Sequence, residues 1–323
     1  MTGWPSAPAL CLALLLLAAP AAADATSVPG SRLFSFGDDD IFESSGLVDR
    51  GDVVFTINDS GDDAVVYGVD PASGRTVSHT TYADSVEDVE ALAPGADGTL
   101  WVGDIGDNRH SRDGIAVYHV RPGEHDRAAD RFDLAYPDGP HDAETLLVQP
   151  RTQQVFVVSK SVFGGTVYAA PRTLASGRAN RLHAYARVRG LVTDGAFFPD
   201  RSHVVLRTYG EAMVYTIPDF GLVGTVRLPT QPQGEGISMG RDGRMLLSTE
   251  GVHADVLQVA LPGRLTAAQP STARPARPPL AEQAGRRQDP RGAWDWTAIA
   301  VAAAGVAGLG CLAWHGSRLR GPR

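Results

Sequence analysis

The sequence predicts an all-β fold, a β-propeller of five four-stranded blades, followed by one C-terminal transmembrane helix. Three observations support this prediction: five in-phase repeats, an N-terminal strand-like segment that belongs to no repeat, and an uncharged run near the C-terminus. Between the two ends, short runs rich in Val, Tyr, Phe and Thr alternate with turn residues, as is typical of strands. Helical periodicity is absent from this part of the chain.

Five stretches share one pattern. A small or acidic residue opens each, followed by an apolar segment, a turn with Pro, Gly or Asp, an apolar strand, a polar loop, and a further strand that usually contains Val-Tyr. The opening residues are Ser45, Glu90, Glu144, Asp194 and Glu235. Units of about 40 to 50 residues built from short strands are typical of propeller blades. An all-β sandwich, the main rival, would not explain five repeats in phase.

The fifth repeat lacks a fourth strand, because it ends at residues 261–263 and a proline-rich stretch follows. A spare strand, "SRLFSF" at residues 31–36, precedes the first repeat. If this strand completes the last blade, the ring closes and no sheet edge is left unpaired. A six-bladed ring would need a further repeat that the sequence does not show, so five blades are favoured over six.

The stretch "WVGDIGDN" at residues 101–108 ends the second strand of the second repeat. Because strand side chains alternate between the two faces of a sheet, Trp101 is predicted to pack between blades, with Val102 on the opposite face. The carboxylate of Asp104 is predicted to leave the sheet at the channel. Asp107 and Asn108 are predicted to form the turn.

The ends of the chain predict export and membrane anchoring. Residues 1–25 have the apolar run and the Ala-x-Ala sequence of a signal peptide, although no Lys or Arg precedes the run; a first membrane anchor is the alternative. Residues 26–263 are the predicted propeller and residues 264–293 a Pro-, Ala- and Arg-rich linker. Residues 294–315 are a predicted transmembrane helix, since an uncharged run there is flanked by tryptophans.

The tail at residues 316–323 is basic, which places it in the cytoplasm and the propeller outside the cell. Both cysteines of the chain, Cys11 and Cys311, lie outside the predicted propeller, which therefore has no disulfide. Residues 264–323 hold nine Arg and three acidic residues, so the preceding part carries a net charge of −14 out of the total of −8. Such a charge argues against nucleic acid and anionic membrane surfaces as partners and favours divalent cations or basic partners, although solubility alone also explains it.

The repeats also predict a ring of polar side chains. In a blade, the start of the innermost strand and the end of the second strand lie at the same end of the channel. Aligning the repeats predicts seven metal-ligand candidates at this mouth, which are Asp59, Glu90, Asp104, Glu144, Asp194, Glu235 and Glu250. Lys160 and Arg207 fall in the same ring and are the candidate anion-binding residues.

Crowded carboxylates repel each other, so they take up protons or bind a cation. Oxygen ligands from Asp, Glu and Asn suit calcium or magnesium, and the sequence predicts a divalent cation, with calcium favoured. The alternative is structural, because Asp and Asn side chains at loop positions also bond to backbone groups and form turns.

The segments "GDIGDN", "AETLLV", "TDGAFFPD" and "STEG" resemble secreted bacterial β-propellers, broadly the phytase-like and SMP-30-like propellers. The resemblance covers residues 31–263. It implies that channel-facing acidic residues bind calcium or another divalent ion, and that phosphoesters or lactones are possible substrates. By position, the matching carboxylates are Glu90, Asp104, Glu144 and Glu235. This sequence departs from true phytases in one respect: their phosphate clamp of several Lys and Arg residues is not evident here.

Two functions follow as predictions. The first is a membrane-tethered extracellular propeller that binds a small-molecule or protein ligand, with a divalent ion at the channel mouth. The alternative is a metal-dependent hydrolase of phosphoesters or lactones on the same scaffold. A purely scaffolding role stays open. The expected partners are this ligand and the membrane, reached through the C-terminal helix, and no nucleic acid.

Overall fold

The computed structural model describes residues 26–59, 63–123 and 129–266. These residues belong to one compact unit. Across the three described ranges, no helix has both the length and the apolar character needed to cross a membrane.

The predicted signal peptide at residues 1–25 lies outside the described residues. So do the predicted transmembrane helix at 294–315 and the basic tail at 316–323. Of the predicted linker at 264–293, only the first three residues are described.

Two strands precede the first blade, β1 (Thr26–Ser27) and β2 (Gly30–Ser35). The first blade is an antiparallel sheet with its strands in chain order from the channel outwards. These strands are β3 (Ser44–Asp49), β4 (Val54–Asn58), β5 (Val65–Val69) and β6 (Thr76–Thr81).

The second and third blades repeat this order. The second contains β7 (Val89–Pro94), a 3-10 turn (Ala96–Gly98), β8 (Leu100–Asp104), β9 (Ile115–Val120) and β10 (Asp130–Ala135). The third contains β11 (Ala143–Val148), β12 (Val155–Ser159), β13 (Thr166–Ala169) and β15 (His183–Arg187). Between β13 and β15, the short strand β14 (Asn180–Arg181) pairs in parallel with β10 of the second blade.

The fourth and fifth blades complete the ring. The fourth contains β16 (Asp194–Phe197), β17 (His203–Arg207), β18 (Glu211–Thr216) and β19 (Leu222–Arg227), with β1 added in parallel to β19. The fifth contains β20 (Gly234–Met239), β21 (Met245–Thr249) and β22 (Asp255–Val259). A short helix, α1 (Gly263–Thr266), follows β22.

The N-terminal strand β2 supplies the fourth strand of the fifth blade. It pairs antiparallel with β22 from Gly30↔Val259 to Ser35↔Asp255, and the hydroxyl of Ser35 donates to Asp255 Oδ1 at 2.5 Å. The predicted closing strand at residues 31–36 is displaced from the observed one by a single residue. The predicted five-bladed propeller, closed by its N-terminal strand, is confirmed.

Five apolar clusters hold the ring together, one between each pair of neighbouring blades. Trp101 packs with Leu146 and Val148 of the third blade, whereas Val102 packs with Val48 of the first. The predicted opposite orientations of Trp101 and Val102 are therefore confirmed. Since the described residues contain every strand of the closed ring and all five clusters, residues 26–266 form a complete domain.

Candidate functional site

A β-bulge interrupts the start of the innermost strand in four of the five blades. In β7 the pairing passes from Val89 to Ala91, which leaves Glu90 in the bulge, and in β11 it skips Glu144 in the same way. The bulges of β3 and β20 contain Ser45 and Glu235. Because a bulge re-aims the side chain of the extra residue, these opening residues share one orientation at one end of the channel, the mouth.

The fourth blade has no bulge, and this changes the position of Asp194. Asp194 pairs directly with Arg207 in a regular ladder. Thr193 takes the place of the opening residue, because its hydroxyl donates to the Glu235 carbonyl at 3.1 Å, just as Ser45 Oγ donates to the Glu90 carbonyl at 2.7 Å. A one-residue shift moves a strand side chain to the other face of the sheet.

Asp194 therefore lies between blades rather than at the mouth. It is fully buried, and its Oδ2 accepts a hydrogen bond from the Ile237 amide at 2.7 Å. Burial raises the pKa of this carboxyl well above its usual range. The repeat alignment is one residue out of register here, so Asp194 does not lie at the mouth as predicted.

Asp104 is displaced in the same manner. It pairs with Val89 at the end of β8, and its carboxylate accepts from the amides of Glu87 and Asp88 at 3.2 and 3.0 Å. Its Oδ1 also forms an ion pair with Arg112 Nη2 at 2.8 Å. Asp104 thus holds the loop that carries Asp88, and its oxygens are occupied by these donors.

The position predicted for Asp104 at the mouth belongs to Gly106. In the first, third and fifth blades, the residue after the second strand donates its amide to the carbonyl that precedes the first strand of the blade. Asp59, Lys160 and Glu250 each make this hydrogen bond, and in the second blade Gly106 makes it to the Asp88 carbonyl at 3.0 Å. Ile105 is one extra residue in this blade, which the repeat alignment did not allow for.

Three carboxylates converge at the mouth between the first two blades. One oxygen each from Asp59, Asp88 and Glu90 lies within 4.8 Å of the other two. The absence of a side chain at Gly106 provides the space, since a Cβ there would lie 2.5 Å from Asp88 Cγ and 2.7 Å from Glu90 Oε1. Asp88 was not among the predicted ligands, although it directly precedes an innermost strand, as Asp142 does.

The electrostatics of this cluster favour a cation. Burial raises the pKa of the Glu90 carboxyl to about 10, and the charges of Asp59 and Asp88 add to the rise. A carboxyl that resists ionisation because of neighbouring negative charge ionises readily when a cation binds beside it. Three carboxylates form the hard oxygen donor set that calcium and magnesium prefer. The cluster therefore fits a divalent cation.

Lys160 and Glu144 occupy the third-blade side of the mouth. Lys160 Nζ forms an ion pair with Glu144 Oε1 and lies 5.8 Å from the centre of the Tyr209 ring. Glu144 Oε2 is enclosed and has no hydrogen-bond partner among the residues that the structure describes. Lys160 thus reaches the predicted ring, but its charge is balanced by Glu144.

Glu235 and Tyr209 complete the far side of the mouth. Burial raises the pKa of the Glu235 carboxyl to about 7, while the charge of Lys160 opposes the rise. Burial also raises the pKa of Tyr209 to about 12, and the hydrogen bond to Glu235 adds to this. Burial and the charge of Asp59 raise the pKa of Glu250, whose Oε1 accepts from Gln233 Nε2 at 2.6 Å.

Arg207 does not reach the mouth. Its side chain is fully buried, and Nη1 donates to the carbonyls of Gly236 and Ser248 at 2.6 and 2.8 Å. Nη2 donates to Gln231 Oε1 at 2.7 Å, and the guanidinium occupies the space that a side chain at Gly234 would need. Arg207 therefore joins the fourth blade to the fifth. Its donors are used by groups of the protein, so its position in the repeat does not require a bound anion.

The raised pKa values predict a stability that falls with rising pH. Between about 4.5 and about 7, the unfolded chain releases the Glu235 proton while the native state retains it, so rising pH favours unfolding. Glu90 extends the same effect towards about 10. In the presence of a chelator, we expect the melting temperature to decrease from about pH 5 to about pH 9. Glu235→Gln should flatten the part below about pH 7, and an unchanged slope would remove Glu235 as its source.

Comparisons with known proteins give structural likeness only. No protein-family model matches the chain, and no curated protein matches it. Similar solved structures include the PQQ-bound aldose sugar dehydrogenase of Streptomyces coelicolor, at 11% identity and a TM-score of 0.42, covering 72% of this chain and 97% of that chain. Myxococcus xanthus glutaminyl cyclase has 11% identity and a TM-score of 0.48, with 74% and 100% covered.

A gluconolactonase of Xanthomonas campestris has 16% identity and a TM-score of 0.44, covering 80% of this chain and 99% of that chain. At these identities and TM-scores, the activities of these enzymes say nothing about the chemistry of this chain.

Proposed function

We propose that this chain is a membrane-tethered extracellular propeller that binds its ligand at the channel mouth, around a divalent cation held by Asp59, Asp88 and Glu90. The observation that carries the proposal is the convergence of three carboxylate oxygens within 4.8 Å. Gly106 supports it, because its missing side chain leaves room for two of these groups. The net charge of −14 before residue 264 supports a cationic ligand as well.

Calcium is the proposed ion. Calcium accepts six to eight oxygen ligands in flexible geometries, whereas magnesium demands a near-ideal octahedron. Three carboxylates, one after β4 and two at the start of β7, supply up to six oxygens without imposing an octahedron. The tether belongs to the proposal too, because the predicted signal peptide at 1–25 and span at 294–315 would place the domain outside the cell. Protease treatment of intact cells tests it, since an exported domain is cleaved and a cytoplasmic one is protected.

The test of the ion is a thermal melt of residues 26–266 with calcium, magnesium or chelator. At a calcium concentration 100 times the Kd, binding adds about 2.7 kcal/mol of stability. For a domain of this size, that corresponds to a rise in Tm of roughly 5 to 10 °C. Asp88→Asn and Gly106→Ala should each abolish the rise, the first by removing a ligand and the second by displacing Asp88 and Glu90. Asp52→Asn, an exposed carboxylate in the loop after β3, is the control and should keep it.

Three other results of these melts would contradict or change the proposal. If calcium does not change the melting temperature of the wild-type domain, no ion binds at the mouth. If calcium stabilises Asp88→Asn and Gly106→Ala as much as the wild type, the ion binds elsewhere. A larger response to magnesium than to calcium would leave the site in place and change the ion.

A second candidate function is a metal-dependent hydrolase of phosphoesters or lactones. The observation that favours it is Glu235, whose pKa of about 7 suits a group that exchanges protons at neutral pH, beside Lys160 and Tyr209. A bound divalent cation would polarise the carbonyl or phosphoryl oxygen of a substrate. The burial of Arg207 leaves Lys160 as the predicted anion-binding residue that reaches the mouth.

Panels of phosphoesters and lactones, assayed with calcium, separate the two candidates. A hydrolase should lose about 100-fold or more in rate with Glu235→Gln, since general acid–base groups contribute on the order of 10² to 10⁴. If calcium still stabilises this variant, the loss of rate comes from the missing acid–base group and not from loss of the ion. No turnover on either panel would leave the binding function.

A further inference from the structure

The mouth is bordered by exposed apolar side chains. Of the eight large hydrophobic side chains that the structure shows as exposed within its described residues, five lie on loops at this end of the propeller. We call these five residues the apolar rim; they are Phe42, Val162, Phe163, Tyr209 and Val252. Phe163 is the most exposed, at 92%, and Val162 follows at 74%.

Each rim residue is near a charged residue of the mouth, in sequence or in space. Phe42 directly precedes Glu43, and its carbonyl accepts from the Gly251 amide at 2.8 Å, which joins it to the loop of Val252. Val162 and Phe163 follow Lys160 in the loop between β12 and β13. The ring of Tyr209 lies 5.8 Å from Lys160 Nζ. The rim therefore surrounds the mouth from the first, third, fourth and fifth blades.

The rim side chains do not belong to the apolar clusters that stabilise the fold. Phe163 lies outside all five apolar clusters, so its exposure to water is a cost that the domain does not recover in its own packing. Exposed apolar side chains grouped on one face mark a binding surface rather than the chance exposure of single residues.

The charges inside the rim specify the partner. Asp59, Asp88, Glu90, Glu235 and Glu250 influence each other electrostatically there, and Lys160 is already paired with Glu144. This excess of carboxylates repels anionic lipid headgroups, which argues against a membrane surface. The spread of the rim over four blades exceeds what a small organic cation would cover. A protein segment with both basic and apolar side chains fits both features.

We propose that the apolar rim and the carboxylates within it dock a protein segment that presents a Lys or Arg side chain flanked by apolar residues. The basic side chain lies against Glu235 and Glu250, and its apolar neighbours pack on Phe163, Val162 and Val252. Charge complementarity selects the partner and its orientation, while the aromatic and apolar contacts contribute most of the affinity. This partner rests on the proposed binding function and specifies the ligand class.

The experiment is a selection from a randomised displayed peptide library on immobilised residues 26–266, run once with calcium and once with chelator. We expect the enriched peptides to contain Lys or Arg next to apolar residues. Their affinity should fall at least tenfold for Phe163→Ser and for Glu250→Gln. Val77→Ser is the matched control, since Val77 is 58% exposed on the outer strand β6, and its affinity should be unchanged.

Three results would overturn the docking proposal: no enrichment, enrichment of peptides without a basic residue, or equal binding by wild type and Phe163→Ser. A Tm equal to that of wild type confirms that each variant is folded. The result for peptide docking can be distinguished from the result for calcium binding. Peptide binding in chelator, together with melts that do not respond to calcium, would remove the ion and keep the docking surface. A calcium response without any enriched peptide would do the reverse.

Discussion

Phe34→Ala is expected to destabilise the domain by about 3 to 5 kcal/mol, because it creates a cavity in the cluster that closes the ring. Phe34 lies on β2 and is only 6% exposed, packed among Leu47, Val54 and Val256 between the fifth and first blades. Deletion of residues 26–35 removes β1 together with the whole of β2 and leaves the edge of β22 unpaired. Since a domain has about 5 to 15 kcal/mol of stability, we expect this deletion to leave no stable native state.

Urea unfolding followed by circular dichroism measures both changes. Arg32→Ala on the same strand is the control, because the Arg32 side chain is 67% exposed and should contribute less than about 0.5 kcal/mol. A deletion variant with an unchanged unfolding midpoint would show that β2 does not close the ring. Equal effects of Phe34→Ala and Arg32→Ala would contradict the packing of Phe34 between the blades.

Arg207→Met is expected to cost about 3 to 5 kcal/mol, since removing one partner of a buried charge network leaves the others without compensation. The guanidinium of Arg207 donates to two backbone carbonyls and to Gln231, all of which lose their donor. Arg227→Met is the matched control, because Arg227 is exposed at the end of β19 in the same blade.

The unfolding free energy in urea decides this prediction. A loss for Arg207→Met no larger than that for Arg227→Met would show that Arg207 does not join the fourth and fifth blades. The double variant Asp194→Asn with Arg207→Met should cost less than the sum of the two single changes, because the two residues belong to one network. Strict additivity would contradict their coupling.

The fold was predictable because the propeller repeats its unit. Five in-phase repeats specify five blades, and the missing strand of the last repeat predicts that β2 closes the ring. The orientation of Trp101 also followed from the alternation of strand side chains. These features depend on short-range pattern and on the requirement that sheet edges be paired, both of which are visible in a single sequence.

The candidate site was less predictable, because it depends on register. Glu90, Glu144 and Glu235 lie in bulges, which keep their orientation. Asp194 is one residue out of register because β16 has no bulge. Asp104 pairs at the position of Asn58 and Ser159, one residue before the predicted one, and the additional Ile105 moves the mouth position on to Gly106. A shift of one residue reverses the face of a strand side chain, and a sequence alignment of divergent repeats does not resolve it.

Two further features depend on contacts across blades. Arg207 is drawn into the protein by the carbonyls of the fifth blade, which the fourth repeat alone does not show. Asp88 joins the carboxylate cluster because Asp104 accepts from its amide and Gly106 leaves room beside it. The nearest sequence signal for Asp88 is its place directly before an innermost strand, shared with Asp142.

The central claim is that Asp59, Asp88 and Glu90 hold one divalent cation at the channel mouth, and calcium titration by calorimetry tests it most directly. For residues 26–266 we expect one calcium ion per chain. Glu90→Gln should remove the binding heat, and Asp52→Asn should retain it. No binding heat with the wild-type domain, or an unchanged isotherm with Glu90→Gln, would contradict the claim.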